Sequence, residues 1–130
     1  MRNLPQERLS LATSAVAAAE GVLERTLQYV NDRKAFGRPI GTFQHSRFLL
    51  AELATELDIA RVFTDHCVTL HAQRKLTAAR AAKAKWWTTE LQVRVADRCL
   101  RATATCASIR LAEPLPTPAS KRSTAARLRS

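Results

Sequence analysis

Asn31-Asp-Arg-Lys-Ala-Phe-Gly-Arg-Pro-Ile-Gly-Thr-Phe-Gln44 decides the fold, because this charged, glycine-broken stretch separates two long helical patterns. Before it, Leu9, Ala12, Val16, Ala19, Leu23, Leu27 and Val30 recur at steps of three and four. That spacing lays one apolar stripe along a helix over roughly residues 5 to 33. Pro5 suits its first turn, where the missing N–H is not needed, and Asn3 is placed to cap it. After the stretch, Leu50, Leu53, Leu57, Ala60, Phe63, Cys67 and Leu70 repeat the periodicity and give a second helix over about residues 43 to 73, with Thr42 placed as its cap. Ala81, Ala84, Trp87, Leu91 and Val95 mark a third, alanine-rich helix from near Thr77 to about Leu100. No segment alternates as a strand does.

Three helices of this length joined by short connections pack antiparallel at shallow angles, so the fold class is all-α: an incomplete up-and-down four-helix bundle. A fourth helix would normally cover the apolar face that three leave, which predicts oligomerisation or a further covering element. The helical domain is expected over residues 1–100 and a separate tail over 101–130. The first hundred residues hold 15 Lys and Arg against 10 Asp and Glu, and the last thirty hold 6 against 1. Half of the net +10 charge therefore lies in the tail. With Pro114, Pro116 and Pro118, many Ala, Ser and Thr, and no apolar stripe, Arg101 to Ser130 reads as a disordered or irregular basic segment.

A sequence pI near 10.8 raises nucleic acid or an acidic membrane surface as a partner. Against nucleic acid, the basic residues of the body are scattered among acids, with no interleaved aromatics to form a stacking platform. No apolar run approaches a membrane span and no hydrophobic leader core opens the chain, so a cytoplasmic location is expected. Cys67, Cys99 and Cys106 are odd in number and show no paired spacing, which indicates neither a disulfide framework nor a zinc site. Cys67 and His71 lie four apart on one helix, but no second ligand pair accompanies them, so no metal is expected. His45 and His66 have no serine, cysteine or acid set that would mark a nucleophile. Trp86 and Trp87 are adjacent, so only one can face the core.

The chemistry concentrates in the opening stretch. Arg33 offers a planar fork of donors for phosphate oxygens, Phe36 a flat apolar surface, and Gln44 an amide donor and acceptor, with Gly37 and Pro39 fixing the bend that presents them. The same Arg33, Lys34 and Arg38 also fit plain solvated cations at a helix C-terminus, where the dipole favours positive charge.

Arg33-Lys-Ala-Phe-Gly-Arg-Pro-Ile followed by Phe43-Gln44, with Leu4-Pro-Gln-Glu-Arg-Leu9 ahead of it, resembles the C-terminal helical domain of the acyl-CoA dehydrogenases. The similarity runs from residue 3 to 100 through Arg61-Val-Phe-Thr-Asp-His-Cys-Val-Thr-Leu70 and Ala84-Lys-Trp-Trp-Thr-Thr-Glu-Leu91, and is nearest to the long-chain type. The resemblance implies a four-helix bundle following an N-terminal helical and a middle β domain, in a homotetrameric enzyme that uses FAD and oxidises acyl-CoA thioesters. It implies that Arg33 and Gln44 contact FAD held largely by a neighbouring subunit, with Phe36 packing nearby.

Such an enzyme needs one carboxylate to take the proton next to the thioester while the flavin accepts hydride from the following carbon. Members of the family carry that glutamate either on a late loop or at the start of the first bundle helix. Leu4-Pro-Gln-Glu-Arg-Leu9 matches the second arrangement, which implies Glu7 as the base and Arg8 as a substrate-side neighbour. An acid in a first helical turn is also stabilised by the helix dipole without any catalytic duty.

The resemblance stops after Leu100, where the family continues with a glycine-rich flavin-binding loop and this chain has Arg101-Ala-Thr-Ala-Thr-Cys-Ala-Ser-Ile-Arg-Leu-Ala112. Joining the third base of each codon to the first two of the next, with free bases chosen to fit, gives Gly-His-Gly-Tyr-Met-Arg-Glu-Tyr-Pro-Val-Gly-Arg-Ala. Further on it gives Asp-Ala-Arg-Val-Gln-x-Ile-Tyr-Gly-Gly-Thr-x-Glu-Ile, so a reading frame displaced near Leu100 is inferred. Gly-Gly-Thr stands there where late-loop enzymes have their glutamate, in keeping with Glu7 as base. The expectation is a fragment of an FAD-dependent acyl-CoA dehydrogenase without activity of its own. The alternatives are a subunit that completes its FAD and acyl-CoA site with a partner chain, and a non-enzymatic basic helical binder.

Overall fold

The computed structural model describes residues 3–112. Helix α1 spans Leu4–Asp32, a hairpin of two-residue strands follows (β1, Lys34–Ala35; β2, Arg38–Pro39), and a 3-10 turn at Ile40–Thr42 leads into α2, Gln44–Ala72. Helix α3 spans Ala78–Ala112. The all-α class holds, with the hairpin as a local addition that a pattern of two residues per strand was too short to reveal.

The apolar stripes fold inward as their spacing dictates. Val16, Ala19, Leu23 and Val30 of α1 meet Leu50, Leu53, Leu57 and Ala60 of α2 and Leu91, Val95 and Cys99 of α3 in one core. Leu9, Ala12, Cys67 and Ala84 form a second cluster toward the start of α1, with Phe63 and Leu76 against it. Two expected core positions lie at the edge instead: Leu27 is 38% exposed and Trp87 36%. Ala12, Ala15 and Ala19 on α1 and Ala81 and Ala84 on α3 are all buried. Their short side chains fit the most extensive helix pairing in the molecule, between α1 and α3.

Ion pairs record the antiparallel order of α2 and α3. Arg94 reaches Glu56 at 3.2 Å and Arg98 reaches Glu52 at 2.9 Å, so advancing along α3 retreats along α2. Arg61 of α2 meets Glu20 of α1 at 2.7 Å. These pairs are partly exposed, and each contributes on the order of 1 kcal/mol or less.

Helix ends correct three expectations. Asn3 occupies the cap position of α1, but its side chain makes no capping hydrogen bond; its carbonyl accepts from the Glu7 N–H at 3.0 Å. Phe43, not Thr42, precedes α2, and the Thr42 hydroxyl donates back to the Pro39 carbonyl at 2.6 Å. Helix α3 does not stop at Leu100 but runs twelve residues further, to Ala112. The added segment is rich in alanine, the best helix former, and holds no proline before Pro114. Its hydroxyls donate within the helix, Thr103 to the Leu100 carbonyl at 2.8 Å and Thr105 to that of Arg101 at 2.9 Å. Backbone propensity thus carries the helix where an apolar stripe is missing. The remainder of the expected tail, residues 113–130, lies outside the described residues.

Candidate functional site

The end of α1 is built to turn the chain sharply. Arg33 leaves the helix with φ −85° and ψ 134°, its N–H donating to the Tyr29 carbonyl at 3.0 Å and its carbonyl accepting from the Ile40 N–H at 2.9 Å. Between these anchors Lys34 pairs with Pro39 and Ala35 with Arg38, leaving Phe36 and Gly37 as a two-residue loop. Their φ values, 52° and 78°, are both positive, as the favoured hairpin turn of that length requires. Ala35 and Ile40 are buried and fasten the hairpin to the core. Gly41 lets the returning chain press on α1: a Cβ there would stand 2.9 Å from Asn31 Oδ1.

Aromatic rings organise the side chains of the turn. The Phe36 and Phe43 rings meet edge to face with centroids 6.5 Å apart, and the Arg38 guanidinium lies 5.3 Å from the centre of the Phe43 ring. Arg33 lies over Tyr29 at 5.2 Å. Arg33, Lys34, Arg38 and Arg47 are exposed, and among the described residues none is ion-paired. Gln44 is the first residue of α2 and lines a shallow concavity with Thr42, Arg47, Phe48 and Ala51. The structure therefore brings Arg33, Phe36 and Gln44 to one end of the bundle. It offers unneutralised cations, a largely exposed phenyl ring and an exposed amide, which is chemistry for a flat anionic ligand.

Glu7 and Arg8 are elsewhere. Glu7 is exposed in the first turn of α1, beside a shallow cavity lined by Asn3, Gln6, Glu7, Ser10 and Leu11, and Arg8 is half-buried next to it. Arg33 follows Glu7 by 26 residue steps along α1, so the two stand roughly 39 Å apart along the axis at 1.5 Å per residue. One copy of the chain does not converge these two sets on one point.

The remaining candidates stay apart. Cys67 is fully buried while His71 is exposed, and no group of three or more metal-binding side chains occurs among the described residues. His66 Nε2 instead lies 3.1 Å from Arg80 Nη1. Burial pushes the Cys67 thiol above its ordinary value, with Arg80 opposing that in part. Trp86 is 63% exposed and Trp87 lies beneath the Arg94 guanidinium, 5.5 Å from its ring centre. No described helix is long and apolar enough to cross a membrane.

One feature escaped sequence reading: an apolar groove where the start of α2 faces the end of α3, lined by Phe43, Leu49, Arg98, Ala102 and Thr105 among others. Arg101, Ala102 and Thr105 of that lining belong to the part of α3 beyond Leu100, whose helical character carries no periodic signal. Arg47, beside Gln44, was likewise indistinguishable in sequence from the other scattered cations.

Comparison with known proteins places the chain. The model of the acyl-CoA dehydrogenase C-terminal domain matches residues 1–105. The mitochondrial long-chain specific acyl-CoA dehydrogenase of Rattus norvegicus is 44% identical over 101 residues, covering 78% of this chain and 24% of the relative. A probable acyl-CoA dehydrogenase of Bacillus subtilis is 34% identical over 94 residues, with 72% and 25% covered. The solved acyl-CoA dehydrogenase of Geobacillus kaustophilus matches with a TM-score of 0.76 at 41% identity, covering 78% of this chain and 27% of that one. The chain thus spans about a quarter of the length of these relatives.

Proposed function

This chain belongs to the acyl-CoA dehydrogenase family, and from that premise we propose that it supplies one wall of each of two FAD and acyl-CoA sites in an assembly. Glu7 takes the proton next to the thioester, and Arg8 flanks the substrate. Arg33, Phe36 and Gln44 hold FAD at a different site, bound largely by a neighbouring subunit. The single observation that carries this reading is the separation of the two sets by nearly the whole of α1.

The residues at the turn fit the cofactor. The Arg33 guanidinium and Gln44 amide present donors without a carboxylate partner among the described residues, and Phe36 offers a flat apolar surface. FAD, when bound, supplies the acceptor for the hydride that leaves the carbon beyond the one Glu7 deprotonates. The chain spans about a quarter of the relatives' length, and by itself it is expected to show no turnover. The inferred frame displacement near Leu100 is checked by sequencing the gene across that codon.

Co-expression with a polypeptide carrying the rest of the relatives' length tests the reading. The assembly is expected to retain flavin and to reduce an electron acceptor with a long-chain acyl-CoA. Glu7→Gln should keep the flavin and lose about 10²- to 10⁴-fold in turnover, the usual weight of a positioned base. Undiminished turnover in that variant would refute Glu7 as base.

A further inference from the structure

We propose that the outward face of the first turns of α3, with the turn that precedes it, docks on an anionic lipid surface. Between His66 and Thr89 the chain holds Arg74, Lys75, Arg80, Lys83 and Lys85 and no Asp or Glu. All five cations are exposed, and among the described residues none takes part in an ion pair. Arg61, Arg94, Arg98 and Arg101, by contrast, are each matched by an acid. This end of the bundle therefore carries a concentrated positive field that the protein itself leaves unneutralised.

Helical geometry sets an aromatic anchor among these charges. Ala81, Ala84 and Thr88 are buried, so Lys83 and Trp86 lie on the opposite side of α3, with Arg80 and Lys85 flanking them one on each side. Ala79 and Ala82 are short, which leaves the exposed Trp86 ring standing out of the face, 6.3 Å from the ring of Trp87. The preceding turn is fastened to this face: Arg80 Nη1 lies 3.1 Å from His66 Nε2, and Leu76 packs against the cluster that holds Cys67 and Ala84. Acids on the adjoining helices leave the field in place, since Asp65 has Arg61 at 3.9 Å and Glu7 lies beside Arg8 on α1. Tryptophan settles at the headgroup level of a bilayer, and each Lys or Arg near an anionic leaflet adds attraction. Long Lys and Arg stems let the flanking charges reach lipid phosphates while the indole enters beside them. A nucleic-acid strand would call for a succession of open aromatic rings, and Trp87 is already covered by Arg94. No described helix can span a bilayer, so the proposed contact is peripheral.

This inference is independent of the flavin reading, and its test uses the 130-residue chain without cofactor. Trp86 and Trp87 are its two tryptophans, so indole emission reports this face alone. Phosphatidylglycerol vesicles are expected to shift that emission to shorter wavelength and, when they carry brominated acyl chains, to quench it; phosphatidylcholine vesicles should do neither. Trp86→Ser should lose most of the quenching at unchanged helicity, because the site is exposed. Lys75→Ala and Lys83→Ala should each lower partitioning about fivefold, and the pair about 25-fold. Emission unchanged by anionic vesicles would overturn the proposal, whether the chain stays free or binds through the basic segment 101–130. So would undiminished quenching in Trp86→Ser, unchanged partitioning of the lysine pair, or tighter binding of a single-stranded oligonucleotide than of the anionic vesicles at equal salt.

Discussion

Phe36 is held at φ 52°, a left-handed conformation that costs a residue with a Cβ roughly 1–2 kcal/mol. The hairpin loop would be better served there by Asn, which tolerates that region. Phe36→Asn is therefore expected to raise stability by about 0.5–1 kcal/mol in thermal or urea unfolding while weakening FAD retention in the assembled enzyme. A large fall in melting temperature would show instead that the ring is mainly structural. Cys67 gives a second prediction at this scale. Its burial raises the folded thiol above the unfolded value of 9.0. Below that pH both states keep the proton and the group is silent. Above it the unfolded thiol ionises first, so folding stability should decline as pH rises past 9.0. Urea midpoints at pH 8 and 10 should fall more for the wild type than for Cys67→Ala. At this scale the sequence was readable wherever residue type alone sets the chemistry: Arg33 is legible as an exposed guanidinium and Gln44 as an exposed amide, and Cys67 as a core thiol. The positive φ of Phe36 was not, because nothing in a phenylalanine announces it.

Helices are joined here with unequal care. Helix α2 ends with the Arg74 N–H donating to the His71 carbonyl at 3.0 Å and the Lys75 N–H donating to that of Leu70 at 2.8 Å, while Arg74 sits at φ 57°. That is the paired hydrogen bonding whose left-handed residue is usually glycine. Arg74→Gly should raise stability by roughly 1 kcal/mol, read as a shift in the thermal midpoint; destabilisation would mean that the Arg74 side chain holds the α2–α3 junction. The three helices were legible because periodicity reports burial: Leu53, Leu57 and Ala60 are enclosed as their spacing requires. Their ends were less so. Thr42 has a capping side chain but spends it on the preceding turn, a choice made by the hairpin that a linear pattern does not contain. The stretch of α3 after Leu100 was hidden for the opposite reason. Its alanines and threonines hold a helix through backbone and hydroxyl bonds while supplying no stripe to detect.

At the scale of the whole molecule, one long helix separates two sets of chemical groups that a single active site would need together. Glu7 lies in its first turn and Arg33 at its last, roughly 39 Å apart, so each chain is proposed to serve one site as base and another as flavin contact. The family resemblance pointed to a neighbouring subunit, and the geometry supplies a reason for one. What sequence alone did not supply was that distance, since residue spacing becomes a length only once α1 runs uninterrupted from Leu4 to Asp32. The most direct test is complementation between two inactive variants within the assembled enzyme. Glu7→Gln and Arg33→Ala are prepared separately and then co-assembled in equal amounts. If the two residues serve different sites, a mixed pair regains one intact site, and turnover should rise to about a quarter of the wild type under random pairing. If both residues of one chain serve the same site, the mixture will show only the average of the two separate variants.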